Sequence, residues 1–111
     1  MLTSTTTQYA MGLKLAAVVT GVPQPLDVND GDVLQLSSPD GTFRVEFHPW
    51  PFAEPEPSNG ITTTAPFTFK NAGPNILTFT ADCYITPAGS STEYGYPGTW
   101  GTNGSVRPPG K

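Results

Sequence analysis

Apolar and polar residues alternate along most of this chain in short runs, and turn-forming residues separate the runs. The segment from Thr42 to Phe47 is the clearest case. Phe43, Val45 and Phe47 fall on one side and Arg44 and Glu46 on the other, the period-two pattern of a strand with one buried face. Ile76 to Ile85 repeats it over a longer span, with Leu77, Phe79, Ala81, Cys83 and Ile85 facing one way as the expected core, and Thr62 to Lys70 alternates through Phe67 and Phe69. Tyr9 to Thr20 reads as a further strand through Leu13, Leu15, Ala17 and Val19, ended by Gly21 and the Pro23-Gln24-Pro25 bend. Leu26 and Val28 alternate with Asp27, and the alternation resumes from Val33 to Leu36. Between them Asn29-Asp30-Gly31-Asp32 is a strong turn signal, so the two runs form a hairpin or a tight strand-to-strand corner. Ser105-Val106-Arg107 predicts a short last strand. No run of ten residues shows helical periodicity without Pro or Gly.

The segments between these runs fit the same picture. Ser37 to Gly41 and Asn71 to Pro74 are turns, and His48 to Gly60 is dense in proline, which cannot donate to a sheet ladder. That segment is expected to be a loop or an irregular edge, pinned to the body by Trp50 and Phe52. After Pro87 the chain is rich in Gly, Ser and Tyr up to about Gly104. Six to eight short strands with frequent turns and no internal repeat predict an all-β, single-domain β-sandwich over residues 9–111, preceded by a loose Thr-rich arm at residues 1–8.

Composition limits the partners more than it defines them. With 111 residues the chain suits one domain, and 36% apolar content with 13 Pro and 12 Gly makes patterning the deciding argument for a fold. Nine acidic against five dispersed basic residues give a net charge of −4 and no basic footprint for nucleic acid. Met11 to Val19 is the nearest thing to a signal-peptide core, but Lys14 interrupts it and no basic n-region precedes it. No other stretch reaches the ~18 apolar residues of a membrane helix. The reading is therefore a soluble protein without nucleic-acid or membrane partners. Cys83 stands alone, so no disulfide forms within the chain.

Two segments carry a family resemblance. Leu26-Asp27-Val28-Asn29-Asp30-Gly31-Asp32-Val33-Leu34-Gln35-Leu36 resembles the opening of a cupredoxin-like domain, where an apolar-x-Val strand meets Gly-Asp and further alternating apolar residues. Phe79-x-x-x-Cys83, a Gly- and Pro-rich loop with Pro97-Gly98-Thr99-Trp100-Gly101, and a last strand with Val106 resemble that family's carboxyl half. The resemblance spans roughly residues 13 to 107 and implies a Greek-key, cupredoxin-like sandwich. It also implies where copper ligands would sit, and this chain does not supply them. Blue-copper sites need two His, a Cys and a weak axial ligand. Cys83 stands at the cysteine position, but the first histidine position falls near Thr42 or Phe43, His48 is the only histidine, and Tyr84 to Gly104 holds neither His nor Met. No cofactor is expected.

The remaining candidates each have a plainer reading. A Cys83–His48 nucleophile pair would activate the thiolate, but Cys83 shares an apolar strand face, where cysteine acts as a small hydrophobe. The Asp27 to Asp32 run has a calcium-loop flavour, yet its glycine comes one residue early and no Glu stands at position 38. Glu54 and Glu56 read as exposed acids of the proline loop, and Asn103-Gly104-Ser105 fits the glycosylation sequon. The aromatics Trp50, Phe52, Tyr84, Tyr94, Tyr96 and Trp100 are more suggestive, since loop Tyr and Trp present rigid contact area. The sequence thus points to a non-enzymatic, metal-free cupredoxin-like binding module of unknown function. Trp50, Phe52, Tyr94, Tyr96 and Trp100 would contact a protein, a glycan or a second copy. The rivals are a copper or redox electron-transfer protein using Cys83 and His48, a hydrolase using Cys83, and a self-associating structural subunit.

Overall fold

A computed structural model describes residues 6–21, 25–96 and 104–109 of the chain. Its strands form two sheets. In the first, β1 (Gln8–Gly12) runs parallel to β3 (Val33–Ser37), and the short β5 (Phe67–Thr68) lies antiparallel on the other side of β3. In the second, β2 (Leu26–Asn29) runs parallel to β8 (Gly104–Arg107), followed by β6 (Leu77–Pro87) and β4 (Gly41–His48), both antiparallel to their neighbours. β7 (Tyr94–Tyr96) pairs with the upper part of β6. The chain is thus mostly β with two sheets, an architecture compatible with the sandwich the alternation predicts.

Where period-two patterning is strong, structure follows it. In β4, Phe43, Val45 and Phe47 are buried, and in β6 so are Phe79, Ala81, Cys83 and Ile85, while their neighbours in sequence face outward. Leu26, Val28, Leu34, Leu36 and Val106 complete an apolar interior with Phe52, Phe67 and Phe69. Burial of Val, Leu or Phe side chains of this size stabilises by about 1.5–3 kcal/mol each, which is what a chain without an internal disulfide depends on.

The turn at Asn29 to Asp32 resolves as a corner rather than a hairpin, because β2 and β3 belong to different sheets. Gly31 adopts φ 92°, the left-handed conformation that glycine tolerates. Asp32, only 2% exposed, organises this corner. Its Oδ1 accepts from the Thr7 amide at 3.1 Å and its Oδ2 from the Asn29 amide at 2.8 Å. Phe69 N–H donates to the Asp32 carbonyl at 2.7 Å, tying the corner to the segment that follows β5.

Three expectations are corrected. The strand expected from Tyr9 to Thr20 is instead β1 followed by a six-residue helix, α1 (Leu15–Thr20). The Leu13 amide donates to Ser37 O at 2.7 Å as the chain leaves the sheet. The Leu15 amide then meets Asp40 Oδ2 at 2.7 Å, so a carboxylate from a distant turn caps the helix. Gly21 ends it at φ 72° with its N–H shared by Ala17 O and Val18 O. A strand would have turned Val19 inward; the helix buries Val18 and leaves Val19 45% exposed. The second correction is β7, which forms within the stretch expected to be irregular. The third is the run from Thr62 to Lys70, of which only Phe67–Thr68 forms a strand, with Phe69 making an isolated bridge to Phe52. Within the segment expected to be a loose arm, the Thr7 amide bonds to Asp32 and β1 begins at Gln8.

Candidate functional site

The aromatic residues singled out from sequence part into two groups. Trp50 and Phe52, at the start of the proline-rich segment, turn inward and join Phe47, Phe67, Phe69 and Phe79 in a continuous ring cluster. Phe52 is 6% exposed, with ring centroids 4.9 Å from Phe47 and 4.7 Å from Phe69. Trp50 packs on the same cluster, and its indole N–H donates to Glu54 O at 2.7 Å. These rings pin the proline segment to the body and hold the interior together; Phe52 has no face to offer a partner. Trp100 lies outside the described residues, as do Pro97 to Gly101 and Asn103.

Tyr94 and Tyr96 form the second group. They share one face of β7 and stand 42% and 49% exposed. The Tyr96 ring lies flush on Gly21, so close that a Cβ at that position would overlap it, and α1 packs against β6 and β7. Tyr94 and Tyr96 thus stand exposed on a strand packed against α1, whose own exposed residues include Ala16, Val19 and Thr20. Neither α1 nor β7 contains a charged residue. The Thr20 hydroxyl is turned back onto Ala16 O at 2.9 Å, so it donates within its own helix.

On the opposite, solvent-facing side of β4 and β6 lies a charged row. Strand register sets Arg44 opposite Tyr84, Glu46 opposite Asp82 and His48 opposite Thr80. Arg44 reaches Glu93 through two bonds of 3.1 and 2.8 Å, pairs with Glu46, and holds its guanidinium 4.2 Å above the Tyr84 ring. This hydrogen bonding to Arg44 holds the Glu93 carboxyl below the usual carboxylate range despite partial desolvation. His48 Nε2 lies 3.2 Å from Asp82 Oδ2, and the ligand atoms of Glu46, His48 and Asp82 all fall within 4.8 Å of one another.

The structure does not bring Cys83 and His48 together. Cys83 sits mid-strand in β6, fully buried, opposite Val45 and Tyr96 in register. His48 projects from the other face of the sheet beside Asp82. The acids of the calcium-like run are likewise dispersed among hydrogen bonds: Asp32 to two amides, Asp30 Oδ1 to the Asn71 amide at 2.7 Å, and Asp27 Oδ1 to the Ser105 hydroxyl at 2.6 Å. Glu54 turns toward the body, where its carboxylate accepts from the Thr68 amide at 2.7 Å and the Thr68 hydroxyl at 2.9 Å. It forms part of a groove of about 320 Å³ with Gln8, Tyr9, Val33, Gln35 and Thr68.

No family model, curated protein or solved structure matches this chain. The geometry alone therefore supports a functional reading. Among the described residues no helix is long and apolar enough to cross a membrane. Sequence reasoning named Tyr94 and Tyr96 but not Val19, which it read as strand interior, and it missed the Glu46-His48-Asp82 grouping because only the β4–β6 register brings Asp82 to the other two. A Glu-x-His pair on one strand face was the signal available.

Proposed function

We propose that this protein is a non-enzymatic, copper-free cupredoxin-like module that binds a protein partner through the α1–β7 surface. The observation that carries the reading is the exposed tyrosine pair of β7 on a strand packed against α1, which exposes Val19, the two elements carrying no charge. Depletion of charge with enrichment of Tyr is the composition of protein interface cores. A glycan site needs convergent hydrogen-bonding side chains beside its aromatics, and the Thr20 hydroxyl here is already committed to its helix. A protein surface is the occupant that fits.

The cupredoxin-like part of the proposal is supported by the Leu26 to Leu36 segment, which carries the resemblance and passes the chain from one sheet to the other, as strands of a two-sheet sandwich do. The copper-free, non-enzymatic part is supported by the burial of Cys83 within a strand and by the placement of His48 on the far face. A thiolate nucleophile needs access that a fully buried mid-strand position denies, and a copper ion shared by Cys83 and His48 would need both side chains on one face of the sheet.

The test is site-specific photocross-linking in the source cells, with a benzophenone amino acid replacing Tyr94 in one variant and Gln35, on the other sheet, in a second. A discrete adduct from position 94 and none from position 35 is the expected result, and an adduct of twice the chain mass identifies a second copy as the partner protein. Equal adduct patterns from both positions, or none from position 94 in a folded variant, overturn the proposal.

A further inference from the structure

Beyond that binding surface, we infer that Glu46, His48 and Asp82 form a site for a divalent first-row transition ion, zinc being the type case, on the outer face of β4 and β6. Glu46 and His48 are two residues apart on one strand and project to the same side. Asp82 is the direct cross-strand neighbour of Glu46 and the diagonal neighbour of His48. One imidazole nitrogen and two carboxylate oxygens are a donor set that suits zinc and its neighbours, and three protein ligands at a solvent-facing position leave room for water as the fourth.

The distances are within reach. The ligand atoms lie within 4.8 Å of one another, whereas atoms sharing a zinc ion at about 2.0–2.2 Å stand roughly 3–3.6 Å apart. Closing that difference takes rotamer changes of about an ångström in side chains that are exposed or half-exposed, while the paired strands hold the Cα positions. His48 already points Nε2 at Asp82.

Charge argues the same way. Among the described residues, the carboxylates of Glu46, Asp82 and Glu93 gather on this face around the guanidinium of Arg44, an acidic setting that favours a dication. Arg44 is the competitor, since it holds Glu46. It has a second anchor in the bidentate Glu93 pair and a third in the Tyr84 ring, so it remains placed when Glu46 turns to a metal. The site is distinct from a blue-copper centre, because it uses His48 without Cys83.

The test is titration of the full chain with zinc chloride, read by calorimetry and by the imidazole proton resonances of His48, which is the only histidine and so reports alone. The expected result is a one-to-one isotherm with shifted His48 signals, lost in His48→Ala. Asp82→Asn and Glu46→Gln each weaken zinc binding by roughly tenfold or more. Arg44→Gln, which releases Glu46 and removes a repelling charge, tightens it, an outcome that a lone surface histidine would not give. Each variant's circular dichroism spectrum reports whether it is folded, and cobalt chloride on the wild type and on Cys83→Ser gives the same ligand-field spectrum. His48 signals unmoved at about millimolar zinc, a regime of only ~4 kcal/mol of binding, overturn the inference. Zinc affinity equal to wild type in folded Asp82→Asn and Glu46→Gln overturns it as well, as does a thiolate charge-transfer band that Cys83→Ser abolishes.

Discussion

Replacing Asp32 by alanine tests whether the corner between the sheets rests on one carboxylate. The side chain is 2% exposed and each oxygen accepts one backbone amide, from Thr7 at 3.1 Å and from Asn29 at 2.8 Å. Hydrogen bonds to a charged group contribute about 1.5–3 kcal/mol each, and removing the acceptor leaves donors that must find water or stay unpaired. The two bonds share one side chain and do not add fully, so the expected loss is about 3 kcal/mol for Asp32→Ala. In a domain of this length that lowers the melting temperature by roughly 10–20 °C. Asp32→Asn keeps the shape but turns one oxygen into a donor, so it should fall between wild type and Asp32→Ala. Urea unfolding by intrinsic fluorescence, with and without excess calcium, measures all three. Calcium should leave the wild-type midpoint unchanged, since the Asp32 oxygens face amide donors. A loss under about 0.5 kcal/mol for Asp32→Ala, the level of an ordinary surface substitution, refutes the argument. So does an Asp32→Asn variant no more stable than Asp32→Ala, or a midpoint that rises with calcium.

Three further outcomes follow from other parts of the molecule. Phe47→Ala removes a ring that contacts Trp50, Phe52 and Phe79 and should cost about 3–5 kcal/mol by chemical denaturation, whereas exposed Tyr94→Ala should cost far less. Gly41→Ala should destabilise the β4–β6 ladder, because a Cβ there runs into the Thr86 carbonyl of the paired strand and backbone cannot yield as a side-chain tip can; hydrogen exchange along β4 reads this directly. Stability should fall in acid through Glu54 and Glu93. For Glu54, burial pushes the carboxyl up but the Thr68 amide and hydroxyl outweigh it, leaving it below the usual range, and Arg44 lowers Glu93. Folded values below unfolded ones mean a contribution fully present above the usual glutamate value of about 4.3 and lost as pH falls through the lower folded values. Glu54→Gln should flatten that decline in the urea midpoint, and an unchanged slope would show that Thr68 does not hold the carboxylate.

Much of this fold was legible because each buried face repeats locally. From Phe43 to Phe47 in β4 and from Leu77 to Ile85 in β6 every second residue is apolar, and no other element type satisfies that period over so many positions. The segment from Leu13 to Val19 failed for the same reason in reverse. Leu13, Leu15, Ala17 and Val19 alternate, but Leu15 and Val18 also satisfy a helical spacing, and local sequence does not choose between them. The choice comes from Asp40, whose carboxylate meets the Leu15 amide from across a separation of 25 residues, and from Gly21, which closes the last turn. β7 was illegible because three residues with a central glycine carry no period at all; it forms because Gly95 lets the strand approach the Tyr84 ring and the Cys83 carbonyl.

The candidate sites depended on strand register, which single-residue patterns do not encode. His48 and Asp82 are 34 residues apart, and Asp82 meets Glu46 only in the pairing that puts Val45 opposite Cys83. Sliding β6 by two residues would preserve every buried face yet set Asp82 opposite Arg44, an ordinary ion pair with no place for a metal. What fixes the observed register is steric. Phe47 faces the small Ala81, and Gly41 is the residue whose missing side chain allows the close approach of Thr86. The sidedness of Glu46, His48 and Asp82 could therefore be read from alternation, while their meeting rests on Ala81 and Gly41, residues with no chemistry of their own. The same two positions give the metal inference a structural control: a Gly41→Ala variant that shifts this register should lose zinc binding with all three ligands still present in the chain.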